Sequence, residues 1–239
     1  MLENSTFVLP RLSRWRKEKM LGYAEQVLRT QQQMTTAKGK TILHHTLKKN
    51  KRHISMNHYP KGDRIDRATG AQYFYHCHRE DMDLEEHGHF HCFMRYKQIP
   101  KRIKPTPLAD WKDYLDNPMT HLVAISMNRF GQPIRLFTVN RWVTSELWYD
   151  AVHAPYFCKR FKMTLSDDPY WQVLDQWVEG MIHLFSPQII WLQEQRDQMI
   201  AHQQALHPGE NVYVDHGLEE LSEISIDLKS QIGWLLAQA

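Results

Sequence analysis

Histidines recur at every second position in two short stretches of this 239-residue chain. The first stretch contains His76 and His78, and the second contains His87, His89 and His91. Successive side chains of a β-strand point to opposite faces, so residues two apart share a face. The spacing therefore predicts two strands that each carry imidazoles on one face. The even-numbered positions from Gly88 onward would form the opposite, apolar face, which comprises Gly88, Phe90, Cys92, Met94 and Tyr96.

A charged segment, Arg79–Glu86, separates the two stretches and has the length and composition of a hairpin loop. We assume the register in which His76 lies opposite His89 and Phe74 lies opposite His91. Directly opposed residues of an antiparallel pair have Cβ atoms about 4.5–5.5 Å apart. This register predicts that all five imidazoles share one surface, where three or four of them can reach one ion.

Neutral imidazole is a common ligand of zinc, iron, copper and nickel. We therefore predict a site for a divalent transition metal, zinc or iron, among His76, His78, His87, His89 and His91. Three ligands with one open position are typical of a catalytic site. The trio nearest the loop is His78, His87 and His89, and His121 is a further candidate. Glu86, beside His87, is the candidate carboxylate that would orient a ring N–H, bind the metal or act as general base.

Other interpretations use part of the same pattern. The alternating histidines resemble the histidine-triad pattern of nucleotide hydrolases and transferases, in which His89 would attack an α-phosphate as the nucleophile. His89-Phe90-His91 also resembles the metal-binding motif of DNA-nicking enzymes, for which Tyr149 would attack phosphate. A non-enzymatic protein would sense or store metal on this face, or act as a scaffold. A polar sheet surface that faces solvent without any ion is the simplest alternative.

The composition is that of a folded globular protein, with 42% apolar residues, eight Trp, ten Tyr and nine Phe. No segment approaches the roughly 18 apolar residues of a membrane helix. The N-terminus does not resemble a secretory signal, and three cysteines do not make a disulfide framework. We expect a cytoplasmic protein with reduced thiols, no membrane association, and a small-molecule or phosphorylated substrate.

Positive charge is concentrated near the N-terminus. Residues 10–62 contain thirteen Lys and Arg against two Glu, a net charge of +11, and the rest contains 17 against 25, a net charge of −8. This asymmetry predicts a basic, mainly helical arm over 1–58 and a single α+β domain over 59–239. The arm would contact an anionic partner such as nucleic acid, or dock on the acidic body. The pattern does not define an oligomeric state.

The predicted fold class is α+β, with an antiparallel sheet of at least four strands over about 71–140. Its second hairpin joins two apolar stretches through a turn at Arg129–Gln132. Helices before and after the sheet would pack on its apolar face. We predict these helices at residues 11–33, 144–152, 170–185, 187–206 and 218–236, the last from an amphipathic stripe of Leu and Ile.

Three segments resemble a known family. They are GAQYFYHCHRE at Gly70–Glu80, EHGHFHCF at Glu86–Phe93 and HLVAISMNRFGQPIRLFTVNRWVT at His121–Thr144. They are similar to an uncharacterised family of bacterial proteins, a domain of unknown function, over roughly residue 59 to the end. The resemblance implies a bacterial cytoplasmic protein and one structural unit beyond Tyr59, and it implies no particular reaction.

Overall fold

The computed structural model describes residues 6–35, 39–47, 57–77, 85–108 and 118–238. The strands are β1 (Tyr59–Ile65), β2 (Ala71–Cys77), β3 (Glu86–Arg95), β4 (Met119–Asn128), β5 (Pro133–Val139) and β6 (Glu220–Ser225). The helices are α1 (Arg14–Met34), α2 (Ile42–Thr46), α3 (Arg141–Thr144), α4 (Ala154–Arg160), α5 (Pro169–Leu184), α6 (Ser186–Leu206) and α7 (Leu228–Ala237). His78, one of the predicted ligands, lies outside the described residues.

The strands form one antiparallel sheet in the order β1-β2-β3-β4-β5-β6. Helices precede and follow the first five strands along the chain, so the predicted α+β class is confirmed. The four predicted strands correspond to β2 to β5. The sheet has six strands, in agreement with the prediction of at least four, and β1 and β6 add one strand at each edge outside residues 71–140.

The single helix predicted over 218–236 is wrong, since this segment contains β6 and then α7. Leu221 is buried while the next residues alternate between partly buried and exposed, which suits an edge strand. β6 pairs with β5, with Ile224 opposite Leu136. Helix α7 starts only after Asp227, whose side chain accepts a hydrogen bond from the Ser230 amide and so caps the helix.

The main core lies on one face of the sheet. Its strand residues include Tyr73, Tyr75, Phe90, Cys92 and Ile125, which share a cluster with buried side chains of the helices. Cys77 and Cys92 are both buried there as free thiols. His76, His89 and His91 therefore belong to the opposite face, because they alternate with these core positions along β2 and β3.

Helix α1 begins after Ser13, whose hydroxyl accepts a hydrogen bond from the Arg16 amide. It packs closely on α5, where a Cβ at Gly180 would come within 2.7 Å of Val27 Cγ2. The buried face of α1 thereby joins the main core. Among the described residues, no helix combines the length and apolar character required to cross a membrane.

A buried ionic cluster ties the first two strands to α5. The Arg64 guanidinium donates hydrogen bonds to Asp175 at 2.6 and 3.0 Å and to the more exposed Asp167 at 2.9 Å. The Tyr73 hydroxyl donates to Asp175 at 2.8 Å. These contacts satisfy charges that would otherwise be costly to bury, and they hold the sheet against the helices.

Candidate metal centre

The predicted register of the histidine hairpin is confirmed by the pairing of β2 with β3. His76 lies opposite His89, and Phe74 lies opposite His91. Paired residues of adjacent strands project to the same side of a sheet. His76, His89 and His91 therefore share the face that is turned away from the main core, and we call these three residues the histidine trio.

The histidine trio brings three ring nitrogens together. The Nε2 atom of His89 lies 2.6 Å from Nε2 of His76 and 2.9 Å from Nε2 of His91. One nitrogen from each residue can be chosen so that all three lie within 4.8 Å of one another. The three residues are only 2–7% exposed, so they do not form the solvent-facing surface considered from the sequence.

His87 does not join the trio, because β3 contains a bulge between Glu86 and Gly88. Glu86 pairs with Asn128 and Gly88 pairs with Met127, so two steps along β3 match one step along β4. Because of the extra residue, the side chains that precede Gly88 point to the face opposite the one that regular alternation would give them. His87 turns towards the core side, and its Nδ1 lies 2.7 Å from the hydroxyl of Tyr75.

Gly88 allows β3 to lie close to the backbone of β2 at the bulge. A Cβ at this position would lie 2.3 Å from the carbonyl oxygen of His76 and 2.7 Å from the Cα of Cys77. Both are backbone atoms of β2 that cannot move without disturbing the hairpin. The bulge and the close pairing of the two strands therefore depend on the missing side chain.

The same bulge places Glu86 on the face of the histidine trio. Its Oε1 lies 2.6 Å from Nδ1 of His89, and its Oε2 lies 3.3 Å from Nη2 of Arg135. A carboxylate accepts the proton of Nδ1, so the neutral His89 ring presents a lone pair at Nε2. Glu86 thus orients His89 and directs its free electron pair to the centre of the trio.

His121, the further candidate, supports the trio from behind. Its Nε2 lies 3.0 Å from Nδ1 of His91, on the side of the His91 ring away from the trio. The His121 backbone amide donates to the carboxylate of Glu146, which also accepts from the Thr120 hydroxyl at 3.2 Å. Burial raises the pKa of Glu146 to about 7. His91 is therefore held by an imidazole, as His89 is held by a carboxylate.

Burial keeps these imidazoles uncharged. It lowers the pKa of His91 well below the usual value, and the neighbouring rings of His89 and His121 lower it further. Burial also lowers the pKa of His121 to about 3, with Arg196 as the second cause. At neutral pH both rings are therefore neutral, which is the state that binds metal ions.

Aromatic rings close around the trio. The Phe137 ring stands edge-on to His89 with centroids 4.9 Å apart, and the Phe74 ring lies 5.3 Å from that of His91. Phe93 contacts His121 at 5.3 Å. These rings exclude water from one side of the cluster, and an apolar shell strengthens the interaction of a cation with its ligands.

Ser126, which was not predicted as a site residue, extends the row of the trio across the sheet. His89 pairs with Ser126 on β4, and Ser126 pairs with Arg135 on β5. Ser126 is completely buried. The available signal was a single hydroxyl within the apolar residues 122–127, two positions from Ala124 on the same face.

The fold and the site define an α+β protein with a buried three-histidine cluster on the face of an antiparallel sheet that lies opposite the main core. The chain belongs to the DUF6969 family, a domain of unknown function, whose match covers residues 21–226. This match starts before the resemblance noted at residue 59, so it includes most of α1. Comparisons with curated proteins and with solved structures give no match.

Proposed function

We propose that the histidine trio binds one divalent transition metal ion, zinc or iron, and that the protein is a metal-dependent enzyme. The observation that carries this proposal is the convergence of three Nε2 atoms from His76, His89 and His91. Nitrogens this close need a proton or a cation between them, and around a tetrahedral ion with bonds of about 2.0–2.1 Å they would move apart to about 3.3 Å. The outer contacts of the rings favour the cation.

The outer contacts favour a cation because they place the ring protons on the far side. Glu86 accepts from Nδ1 of His89, and His91 takes the same tautomer when Nε2 of His121 accepts from its Nδ1 rather than donates to it. The Nε2 atoms of His89 and His91 would then both carry lone pairs, and these lone pairs would face each other. A metal ion accepts both lone pairs and removes their repulsion.

The donor set indicates which ions are suitable. Three neutral imidazoles without a thiolate suit zinc or iron, and the buried Cys77 and Cys92 lie on the opposite face. Three protein ligands leave coordination positions for a substrate, which is the arrangement of catalytic sites. When bound, the ion would supply Lewis acidity to a substrate oxygen. The reaction class stays open.

Glu86 is assigned to positioning rather than to proton transfer, since both of its oxygens already have partners in His89 and Arg135. The nucleotidyl-transfer alternative, with His89 as nucleophile, has weaker support because His87 faces away from the other two alternating histidines. The DNA-nicking alternative is also weaker, since Tyr149 packs in the main core beside Phe157. A nucleic-acid partner for the basic arm and a cytoplasmic location stay predictions.

Metal analysis of protein produced without a histidine tag tests the proposal. We expect about one equivalent of zinc or iron per chain, lost in His76→Ala, His89→Ala and His91→Ala. His87→Ala is the matched control, because this residue lies in the same hairpin and faces away from the trio. Wild-type protein that carries no metal and takes up neither zinc nor iron would disprove metal binding.

A further inference from the structure

A pocket of about 430 Å³ opens beside the histidine trio. Its lining includes Glu86, which contacts His89, and also Ser126, Arg135, Glu85 and Glu220. Ser126 is one strand away from His89 in the same cross-strand row, and adjacent strands are about 4.8 Å apart. A small molecule in this pocket would therefore contact Glu86 and Ser126, the two residues of the pocket that adjoin His89.

Ser126 provides an unused hydrogen-bonding group in this pocket. The residue is completely buried, and its Oγ has no hydrogen-bond partner within the described part of the chain. Buried hydroxyl groups are normally paired, and an unpaired one costs stability. The hydroxyl of Ser126 can both donate and accept, so it suits a hydroxyl or carbonyl group of a bound molecule.

The charge of the pocket indicates what kind of molecule it binds. Three carboxylates and one guanidinium line it, which gives a formal charge of −2. Arg135 is already engaged, at 3.0 Å by Glu220, at 2.6 Å by Glu223 and at 3.3 Å by Glu86. An anion would have to displace these carboxylates from the arginine, whereas a cation would be attracted by them.

We propose that this pocket is the substrate subsite of the metal centre and that it takes a small cationic molecule with a hydroxyl or carbonyl group. An ammonium or guanidinium group would face Glu85 and Glu220, and the oxygen would pair with Ser126. The proposal rests on the proposed function, since the metal would act on the part of the substrate nearest the trio. It excludes the phosphorylated substrate expected from the sequence.

Three probes of equal chain length test the proposal on the full-length, zinc-loaded protein. They are 3-aminopropan-1-ol, propane-1,3-diol and 3-hydroxypropanoate, which differ in charge but share a hydroxyl group. Dissociation constants are measured by NMR titration. We expect the amino alcohol to bind at least roughly tenfold more tightly than the hydroxy acid, with a preference that shrinks at high salt.

Two variants separate the contributions of charge and hydrogen bonding. Glu220→Gln should reduce the preference for the amino alcohol about threefold, while Glu25→Gln on the exposed side of α1 leaves it unchanged. Ser126→Ala should weaken binding of all three probes about threefold to tenfold, while Ser166→Ala at an exposed position has no effect.

Equal binding of the three probes, or tighter binding of 3-hydroxypropanoate, would overturn the proposal. An unchanged affinity of Ser126→Ala would overturn the role of its hydroxyl. Zinc content is measured on the same samples, so failure of the metal proposal appears as missing zinc. In that case the dissociation constants of the three probes still report the charge preference of the pocket.

Discussion

His76 on β2 and His89 on β3 meet with 2.6 Å between their Nε2 atoms. This contact exists only in the observed register of the hairpin, because a slip of one residue would turn one of the two rings to the opposite face. The proposed metal centre therefore depends on the pairing of β2 with β3. Changes that loosen the hairpin should weaken metal binding, and bound metal should stabilise the hairpin.

Removal of the carboxylate behind His89 should weaken metal binding without abolishing it. We expect Glu86→Ala to lower zinc affinity about 10-fold to 100-fold, because His89 loses the acceptor that orients its ring. Glu86→Gln keeps an acceptor and should lose less. Competition with a chromophoric chelator measures the affinity, and Glu194→Ala on the exposed side of α6 is the control. An unchanged affinity of Glu86→Ala would contradict the positioning role.

A methyl group at Gly88 should disrupt the hairpin. Gly88→Ala places a Cβ against the backbone of His76 and Cys77, and we expect a loss of about 3 kcal/mol or more in the free energy of unfolding. Zinc binding should fall with it. Urea denaturation provides the measurement.

Gly22→Ala is the matched control for this substitution. A Cβ at Gly22, within α1, meets no atom within 4 Å, so the change should stabilise the protein by up to about 1 kcal/mol. If Gly88→Ala were as stable as wild type, the close approach of β2 and β3 would be refuted.

The ionic cluster of Arg64 should depend mainly on its buried partner. Asp175→Ala leaves the Tyr73 hydroxyl and much of the Arg64 charge without their acceptor, and we expect a loss of about 3 kcal/mol. Asp167→Ala removes the partner whose side chain is 57% exposed and should cost less than about 1 kcal/mol. Equal losses of unfolding free energy in the two variants would show that burial does not determine how much each carboxylate contributes to stability.

His183 should make the protein sensitive to acid. The ring stacks on Tyr23, its Nε2–H donates to the Phe161 carbonyl at 2.9 Å, and burial lowers its pKa from 6.5 to about 4. The unfolded chain binds this proton at higher pH than the folded chain. The contribution of His183 to the free energy of unfolding is therefore fully present above pH 6.5. It falls by up to about 3 kcal/mol as the pH drops to 4.

His183→Gln should remove this part of the pH dependence, because glutamine keeps a donor for the Phe161 carbonyl and does not titrate. Unfolding free energies at pH 7.5 and pH 4.5 are compared for the wild type and the variant. His207→Gln, at a surface position, serves as the control. Equal pH dependence in wild type and His183→Gln would rule out the buried imidazole as the cause.

The histidine hairpin could be predicted from the sequence because its signal is local. A spacing of two residues defines the shared face, and the short distance along the chain between the two stretches leaves few registers to consider. The pairing of His76 with His89 follows directly. The core face could be predicted for the same reason, since Phe90 and Cys92 alternate with the histidines.

The edge strands and the pocket depend on contacts between distant parts of the chain. Ser225 pairs with Arg135 across ninety positions, and no periodicity in β6 identifies its partner. A stripe of Leu221 and Ile224 fits a helix as well as a strand when only spacing is considered. The position of Glu220 at the pocket therefore could not be predicted from the sequence. The bulge in β3 could have been, because Gly88 within a strand is a sign of one.

The bulge at His87 also determines how many coordination positions a bound metal would have free. With regular alternation, His87 would stand on the same face as His89 and His91, and a fourth imidazole would favour a saturated ion. The inserted residue exchanges that imidazole for the carboxylate of Glu86, which holds His89 from outside. For the proposed ion, one extra residue in β3 would thus leave open a coordination position that a fourth imidazole would fill.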